Sequence, residues 1–501
     1  MQPKSSHYPL GFHWICAVLG VAVILGPAGC RNASLPSSNA RPAFEGLTVR
    51  VACPGEPAAR LLQRHGRAWA SQSGAKLEIV DYDPAGNPPA DADLWLLPPA
   101  RMPHFASQKL LRPLPDTYTA LTPDNRQGWE DLLPLYRYRL LTWERATYGM
   151  PVLGEAQLCF YRSDLLQDRE HGEKFEKRYG RKLAPPEAWE DFAELADYFK
   201  DAGQPAALPP LSDRAEEVSE QFFAVAAPYV VRAVAEGTQP LPDFDELYSF
   251  HYDLATGQPR LDSPGFVHAL QLLQRLQRSQ PPAPVAEPAL AFRQGQAVLC
   301  LAEPAWAARF EETGSPIQGK FSCCRLPGSK FVFRYADGQR TPSAAGVNYV
   351  AYLGASGLLG VAPMSGQQPT AAFDLLADLS SRAVSRQIVM DRHWGGRPIR
   401  RSQFDQVADW YSFGLNAERT AELQKSVRAT LDPLPINPAI RLRTPDEREL
   451  HAILAPALNK AILEQSDPAQ VLAAVNRQWQ QRDEKQGTAA RKAVYRLSLG
   501  R

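Results

Sequence analysis

Residues 147–166 read TYGMPVLGEAQLCFYRSDLL, and the parsing of this stretch decides the architecture. The Gly149-Met150-Pro151 turn leads into an alternating apolar strand, and a chain reversal follows. This is how a chain passes from one sheet-based lobe to another. Residues 289–306, ALAFRQGQAVLCLAEPAW, have the character of a return crossing. A helix ends at Gly295, an apolar strand follows, and Trp306 sits just beyond it. A third crossing is expected over 346–354, GVNYVAYLG.

The segments before 147 set the class. An apolar run at 47–53 (LTVRVAC) is followed by a turn at Pro54-Gly55, a helix-like stretch over 57–73, and β-like runs at 76–80 (KLEIV) and 93–97 (DLWLL), with a short helix around Phe105. Strand, helix, strand, loop, strand at this spacing predicts a parallel sheet with crossover helices. The expected fold class is therefore α/β. Helices with one apolar face are expected over 186–200, 265–277 and 371–381. These stripes read as core, and no repeat of 20 to 50 residues suggests a solenoid or propeller.

With 501 residues the chain is long enough for two or three compact units. Lys and Arg total 55 against 54 for Asp and Glu, a net charge of +1. That balance lacks the basic surplus of a nucleic-acid binder. Seven cysteines, at 16, 30, 53, 159, 300, 323 and 324, form no CxxC pair and no zinc-ligand spacing with histidine. Cys53, Cys159 and Cys300 read as small buried hydrophobes. Cys323 and Cys324 leave their pairing open.

The first thirty residues read as an address. Lys4 precedes the apolar run at 15–25 (ICAVLGVAVIL), and Gly26-Pro27-Ala28-Gly29-Cys30 follows. This predicts a signal peptide over 1–29. Ala28-Gly29-Cys30 resembles the end of a bacterial lipobox, with Pro27 where an aliphatic residue is usual; an ordinary cleaved signal with an incidental cysteine is the alternative. Residues 30–46 are expected to be a lipid anchor at Cys30 and a flexible tether.

Six stretches in order carry a family resemblance: DLWLLPPARMPHFASQKLLRPLP at 93–115, the 147–166 stretch, PPEAWEDFAELADYFK at 185–200, the 289–306 stretch, AAFDLLADLSS at 371–381, and WGGRPIR at 394–400. Together they resemble the extracellular solute-binding family that includes the maltose-binding protein and other oligosaccharide receptors of ABC importers. The resemblance implies a two-lobed periplasmic-binding-protein fold of type II, each lobe a sheet flanked by helices, with a ligand cleft between. It assigns 47–151 and 299–347 to the first lobe and 152–298 and 348–484 to the second, and leaves 485–501 as a frayed tail. It further implies a monomeric extracytoplasmic lipoprotein that captures a small polar solute, a sugar foremost, for an ABC importer. No nucleic acid, metal or cofactor enters this reading. A binder of a peptide or chelate, and a glycoside hydrolase built on two of the many carboxylates, stay open as alternatives. The common catalytic motifs GxSxG, GxxxxGK[ST] and HExxH are missing, so no catalytic residues are assigned.

A sugar site needs flat apolar faces ringed by planar hydrogen-bonding groups. On the resemblance, Trp306 is the leading stacking candidate, Glu155 aligns with a sugar-contacting position after the first crossing, and Arg101 sits in a loop turned to the cleft. Asn348 lies on the third crossing. Trp394 and Arg397 lie in a loop whose glycines permit close backbone approach. Glu56 follows the first strand at the sheet end where ligands bind in open α/β folds.

Overall fold

A computed structural model describes residues 43–121, 128–203, 214–234, 243–279, 287–432 and 439–500. The expected signal peptide and Cys30 lie outside them. The N-terminal pattern folds as a parallel sheet: β1 (Thr48–Cys53) lies between β2 (Lys76–Asp81) and β3 (Leu94–Leu97). Two antiparallel strands extend it, β4 (Gly149–Leu153) and β10 (Leu358–Val361), in the order β2-β1-β3-β10-β4. Leu94, Leu96 and Leu97 are fully buried and Trp95 nearly so, as expected for a strand covered on both faces.

A second, antiparallel sheet has β5 (Leu158–Arg162) at its centre, with β6 (Leu299–Ala302) on one side and β7 (Phe321–Arg325) on the other. A hairpin of β8 (Phe331–Phe333) and β9 (Arg340–Pro342) follows. Alternation along β5 divides two hydrophobic cores. Leu158 and Phe160, with Cys300 and Phe321, face the first core, which also holds the five-stranded sheet. Cys159 and Tyr161, with Leu299 and Leu301, face the second core. That core is mainly helical: α1 (Trp189–Asp201), α2 (Ala215–Val230), α3 (Pro264–Arg278), α4 (Glu447–Glu464) and α5 (Pro468–Gln486). The stripe expected over 265–277 becomes α3, which buries Phe266, Leu270, Leu273 and Leu276. The helix expected from 186 begins at Trp189, because Ala188 is held extended by a bridge to Gly328 and its N–H donates to Asp191.

Strand pairing corrects the expected lobe boundaries. Residues 299–302 and 321–325 do not return to the first sheet but flank β5 in the second. The strand that does return is β10, and the helix Pro369–Leu379 packs in the first core beside it, so 348–484 does not belong wholly to the second lobe. An apolar run buried on both faces reads alike in either sheet, and topology alone chooses its partner. The chain passes from the first sheet to the second at 154–157, and it moves between cores near Tyr352-Leu353 and again near Ala439–Leu442, where Leu353 and Ile440 form a parallel bridge.

The tail expected to fray over 485–501 is ordered instead through 498. Residues 488–498 form a helix that buries Tyr495, and Arg491 sits between Asp446 at 2.5 Å and Asp483 at 2.7 Å. The charges there are paired rather than solvated. At the other end the expected tether stops short of 46: Phe44 stacks near Trp69, with ring centroids 6.0 Å apart, and its N–H donates to the Ser73 carbonyl at 2.9 Å.

Candidate functional site

Where the crossings meet, two adjoining compartments open beside β6, β7 and α2. The smaller, about 300 Å³, is lined by Glu155, Gln157, Trp189, Glu217, Gln221 and Glu303 among others. The larger, about 760 Å³, includes Arg325, Phe333, Tyr335, Asn348 and Tyr349. Tyr352, Ala351, Leu326, Ala224 and Thr430 line both. Among the described residues, the smaller wall carries four glutamates and no lysine or arginine, whereas the larger carries Arg232, Arg325 and Arg334 against Glu246. The guanidinium of Arg325 lies over the Tyr349 ring, 3.0 Å from its centroid, an electrostatically favourable arrangement.

Glu155 is brought to the smaller compartment, but its carboxylate is spent on the backbone. It accepts from the N–H groups of Gly354, of Ala355 at 3.1 Å and of Ser356 at 3.3 Å. Gly354 makes this possible by adopting a left-handed φ of +91°. Burial raises the Glu155 carboxyl to about 7, and the three N–H donors with nearby Arg441 offset that only in part. Arg441, on the last crossing, pairs with Glu220 and lies 3.4 Å from Glu447. Burial likewise raises Glu220 to about 7 against the pull of Arg441. Tyr352 completes the knot. Its hydroxyl meets His251 Nε2 at 3.0 Å and accepts from the Leu442 N–H at 3.3 Å. All three crossings are thus tied by polar groups, a device that holds two cores in register.

The remaining candidates are placed as follows. Asn348 lines the larger compartment, yet its amide oxygen accepts from the Ala233 N–H at 2.7 Å and its amide nitrogen donates to the Val231 carbonyl at 2.8 Å. Arg397 is buried and reaches the smaller compartment only through Glu303, at 2.7 Å. Trp394 is buried and lines neither compartment. The glycines beside it serve the protein's own packing: a Cβ on Gly396 would stand 2.6 Å from Pro304. Trp306 also lines neither compartment. It is half-buried at the start of a short helix, stacked with Phe310 at 5.7 Å, with Arg309 over its ring at 4.5 Å. Arg101 is buried over Phe105 and donates to Asn87 at 3.2 Å; burial lowers it to about 10. Glu56 is exposed and pairs with Arg60 one helical turn on.

The residues that sequence reasoning missed are Trp189, Gln221, Glu303, Tyr349 and Arg441. Tyr349 and Glu303 lie in quoted crossing segments, one position from Asn348 and three from Trp306, so the segments carried the signal and the choice within them did not. Arg441 follows residues 433–438, outside the described residues, and no motif marks it. The Trp189 indole N–H is buried without a partner among the described residues. No group of three or more His, Cys, Asp or Glu among the described residues is placed to hold a metal ion.

Solved structures share this fold. The T. maritima MalE3 bound to maltose aligns with a TM-score of 0.61 at 17% identity, covering 86% of this chain and 98% of the other. A solute-binding protein of Agrobacterium radiobacter in complex with ribitol gives 0.61 at 16%, covering 87% and 98%. Lmo0181 of Listeria monocytogenes, an ABC substrate-binding protein in complex with cycloalternan, gives 0.59 at 13%, covering 88% and 99%. No curated protein sequence matches significantly. A sequence-family match runs through residues 79–411, across both sheets and the first two crossings, and by it the chain belongs to the bacterial extracellular solute-binding protein family.

Proposed function

We propose that the chain captures a carbohydrate in the paired compartments at the crossings and delivers it to an ABC importer. The observation that carries this is the lining. Tyr349 offers aromatic surface, and Gln157, Gln221, Glu217 and Glu303 offer planar hydrogen-bonding groups around compartments of about 760 and 300 Å³. The relatives in fold that hold maltose, ribitol and cycloalternan support the same class of ligand. Glu155 and Asn348 act on this reading as positioning residues, because their hydrogen bonds go to the chain itself. Trp306, Arg101, Trp394 and Glu56 leave the ligand-contacting set, and Arg397 stays only as the partner of Glu303. No catalytic step is proposed.

A protein of this family works outside the cytoplasm. Attachment to the membrane through an acylated Cys30, after cleavage of residues 1–29, completes the proposal. Replacing Cys30 with Ser is expected to move the protein from the membrane fraction to the soluble extracytoplasmic fraction, since the acyl chains supply the anchoring energy. A thermal-shift panel of mono- and oligosaccharides, polyols, amino acids and peptides tests the ligand class. A ligand present at a hundred times its Kd stabilises the native state by about 2.7 kcal/mol. A shift with peptides and none with sugars or polyols overturns the carbohydrate reading.

A further inference from the structure

The register of the second sheet settles which cysteines can meet. Cys159 on β5 stands directly opposite Cys324 on β7. Directly opposed residues of an antiparallel pair have Cα atoms roughly 4.5 to 5.5 Å apart and share one face of the sheet. That separation lies within the range a disulfide spans, about 4.4 to 6.8 Å. Both are free thiols in the structure, and both side chains pack on the second core's face of the sheet.

The other combinations fail on the same geometry. Cys323 and Cys324 are consecutive in one strand, so their side chains point to opposite faces. Cys300 and Cys323 share the opposite face, but each is paired with Phe160, one from either side. Two strand spacings, roughly 9.5 Å, separate them, with the Phe160 ring between. Cys53 belongs to the other sheet. Accessibility also differs within the pair. Cys159 is fully buried, whereas Cys324 is half-buried, and its thiol donates to the Pro186 carbonyl at 3.7 Å.

We propose that Cys159 and Cys324 form a cross-strand disulfide in the exported protein. The proposal rests on the extracytoplasmic location, where disulfides form and persist. The Cys324 thiolate attacks one sulfur of an oxidant disulfide, such as a thiol–disulfide oxidoreductase of that compartment, and one oxidant thiolate leaves. The Cys159 thiol, as it loses its proton, then attacks the Cys324 sulfur of the mixed disulfide and expels the second. Two protein thiols lose two protons and two electrons, and the oxidant ends as two thiols. The bond ties β7 to β5 at the position just before Arg325 and Leu326, which line the larger compartment. It thereby fixes one wall of the proposed ligand site.

The test is peptide mapping of the full chain purified from the extracytoplasmic fraction, alkylated in denaturant without reductant. The expected result is one linked pair of peptides, containing Cys159 and Cys324, with Cys53, Cys300 and Cys323 alkylated. The link should persist in Cys323→Ser and vanish in Cys324→Ser, and reduction should lower the Tm by a few degrees. Alkylated Cys159 and Cys324 in the exported protein overturn the proposal. A parallel sample of reduced, folded protein incubated with oxidised glutathione then shows which premise failed. If the link forms there, the compartment was at fault; if it does not, the geometry was.

Discussion

Replacing Glu155 with Gln should flatten the pH dependence of stability. The wild-type carboxyl has an ordinary value of 4.5 and stands at about 7 in the fold, raised by burial. Below pH 4.5 it is protonated in both folded and unfolded chains and contributes no slope. Between 4.5 and about 7 the unfolded chain ionises while the folded one keeps its proton, so stability falls as pH rises. Above about 7 the loss is complete and constant. The gap between the two values corresponds to about 3 kcal/mol. Gln cannot ionise, and although its amide nitrogen faces a backbone N–H where a carboxyl oxygen accepts, that cost is the same at every pH. The variant should therefore be offset by a constant, and between pH 4.5 and 8 the wild type should lose about 3 kcal/mol more than the variant. Urea unfolding followed by tryptophan fluorescence at several pH values reads this directly, because the midpoint moves in proportion to stability at constant slope. Glu220 is raised mainly by its own burial and is present in both proteins, and the Glu155 charge influences it less than burial and Arg441 do, so the difference between the two curves reports chiefly on Glu155. Parallel curves from pH 4.5 to 8 would refute the reasoning and show that the three N–H donors hold the carboxylate ionised throughout.

Two further outcomes follow from the placement of side chains. Arg491→Ala leaves Asp483 and Asp446 without their buried partner, and a loss of about 3 to 5 kcal/mol is expected in a chemical melt, although the residue lies ten positions from the C-terminus. Tyr349→Ala should weaken binding of the sugar found in the panel by about 5- to 150-fold, the equivalent of roughly 1 to 3 kcal/mol of stacking, while Trp306→Ala leaves affinity unchanged; calorimetry on the two folded variants decides between the two aromatics.

The α/β class and the element order were legible because they rest on local patterns. The runs LTVRVAC, KLEIV and DLWLL each carry their own strand signal, and the parallel sheet follows from the helix and loop between them. The assignment of strands to sheets was not legible. LCLA at 299–302 is buried along its whole length, and nothing in its composition distinguishes a neighbour of β5 from a neighbour of β3. The tail misled for a related reason. Arg491 and Asp483 look like solvated charge in sequence, and Asp446, 45 positions before Arg491, joins them to the core.

The site residues show the same limit in a sharper form. Glu155, which the resemblance aligns with a sugar-contacting position, and Asn348 and Arg397, on a crossing and in a glycine-rich loop, all lie at or beside the compartments. Yet a crossing is where two cores meet and where backbone groups leave their sheets unpaired. A buried N–H without a partner costs about 1 to 3 kcal/mol, so polar side chains at such places are needed to satisfy the chain before any ligand arrives. Glu155 does this for residues 354–356 and Asn348 for residues 228–233. Among the described residues, their neighbours one or two positions along, Gln157 and Tyr349, show no such bond to the backbone, and Arg325 covers one face of the Tyr349 ring and leaves the other to the wall. Polarity on a crossing therefore marks the neighbourhood of a ligand, and the residue left over once the backbone has been satisfied is the one with a free face to offer it.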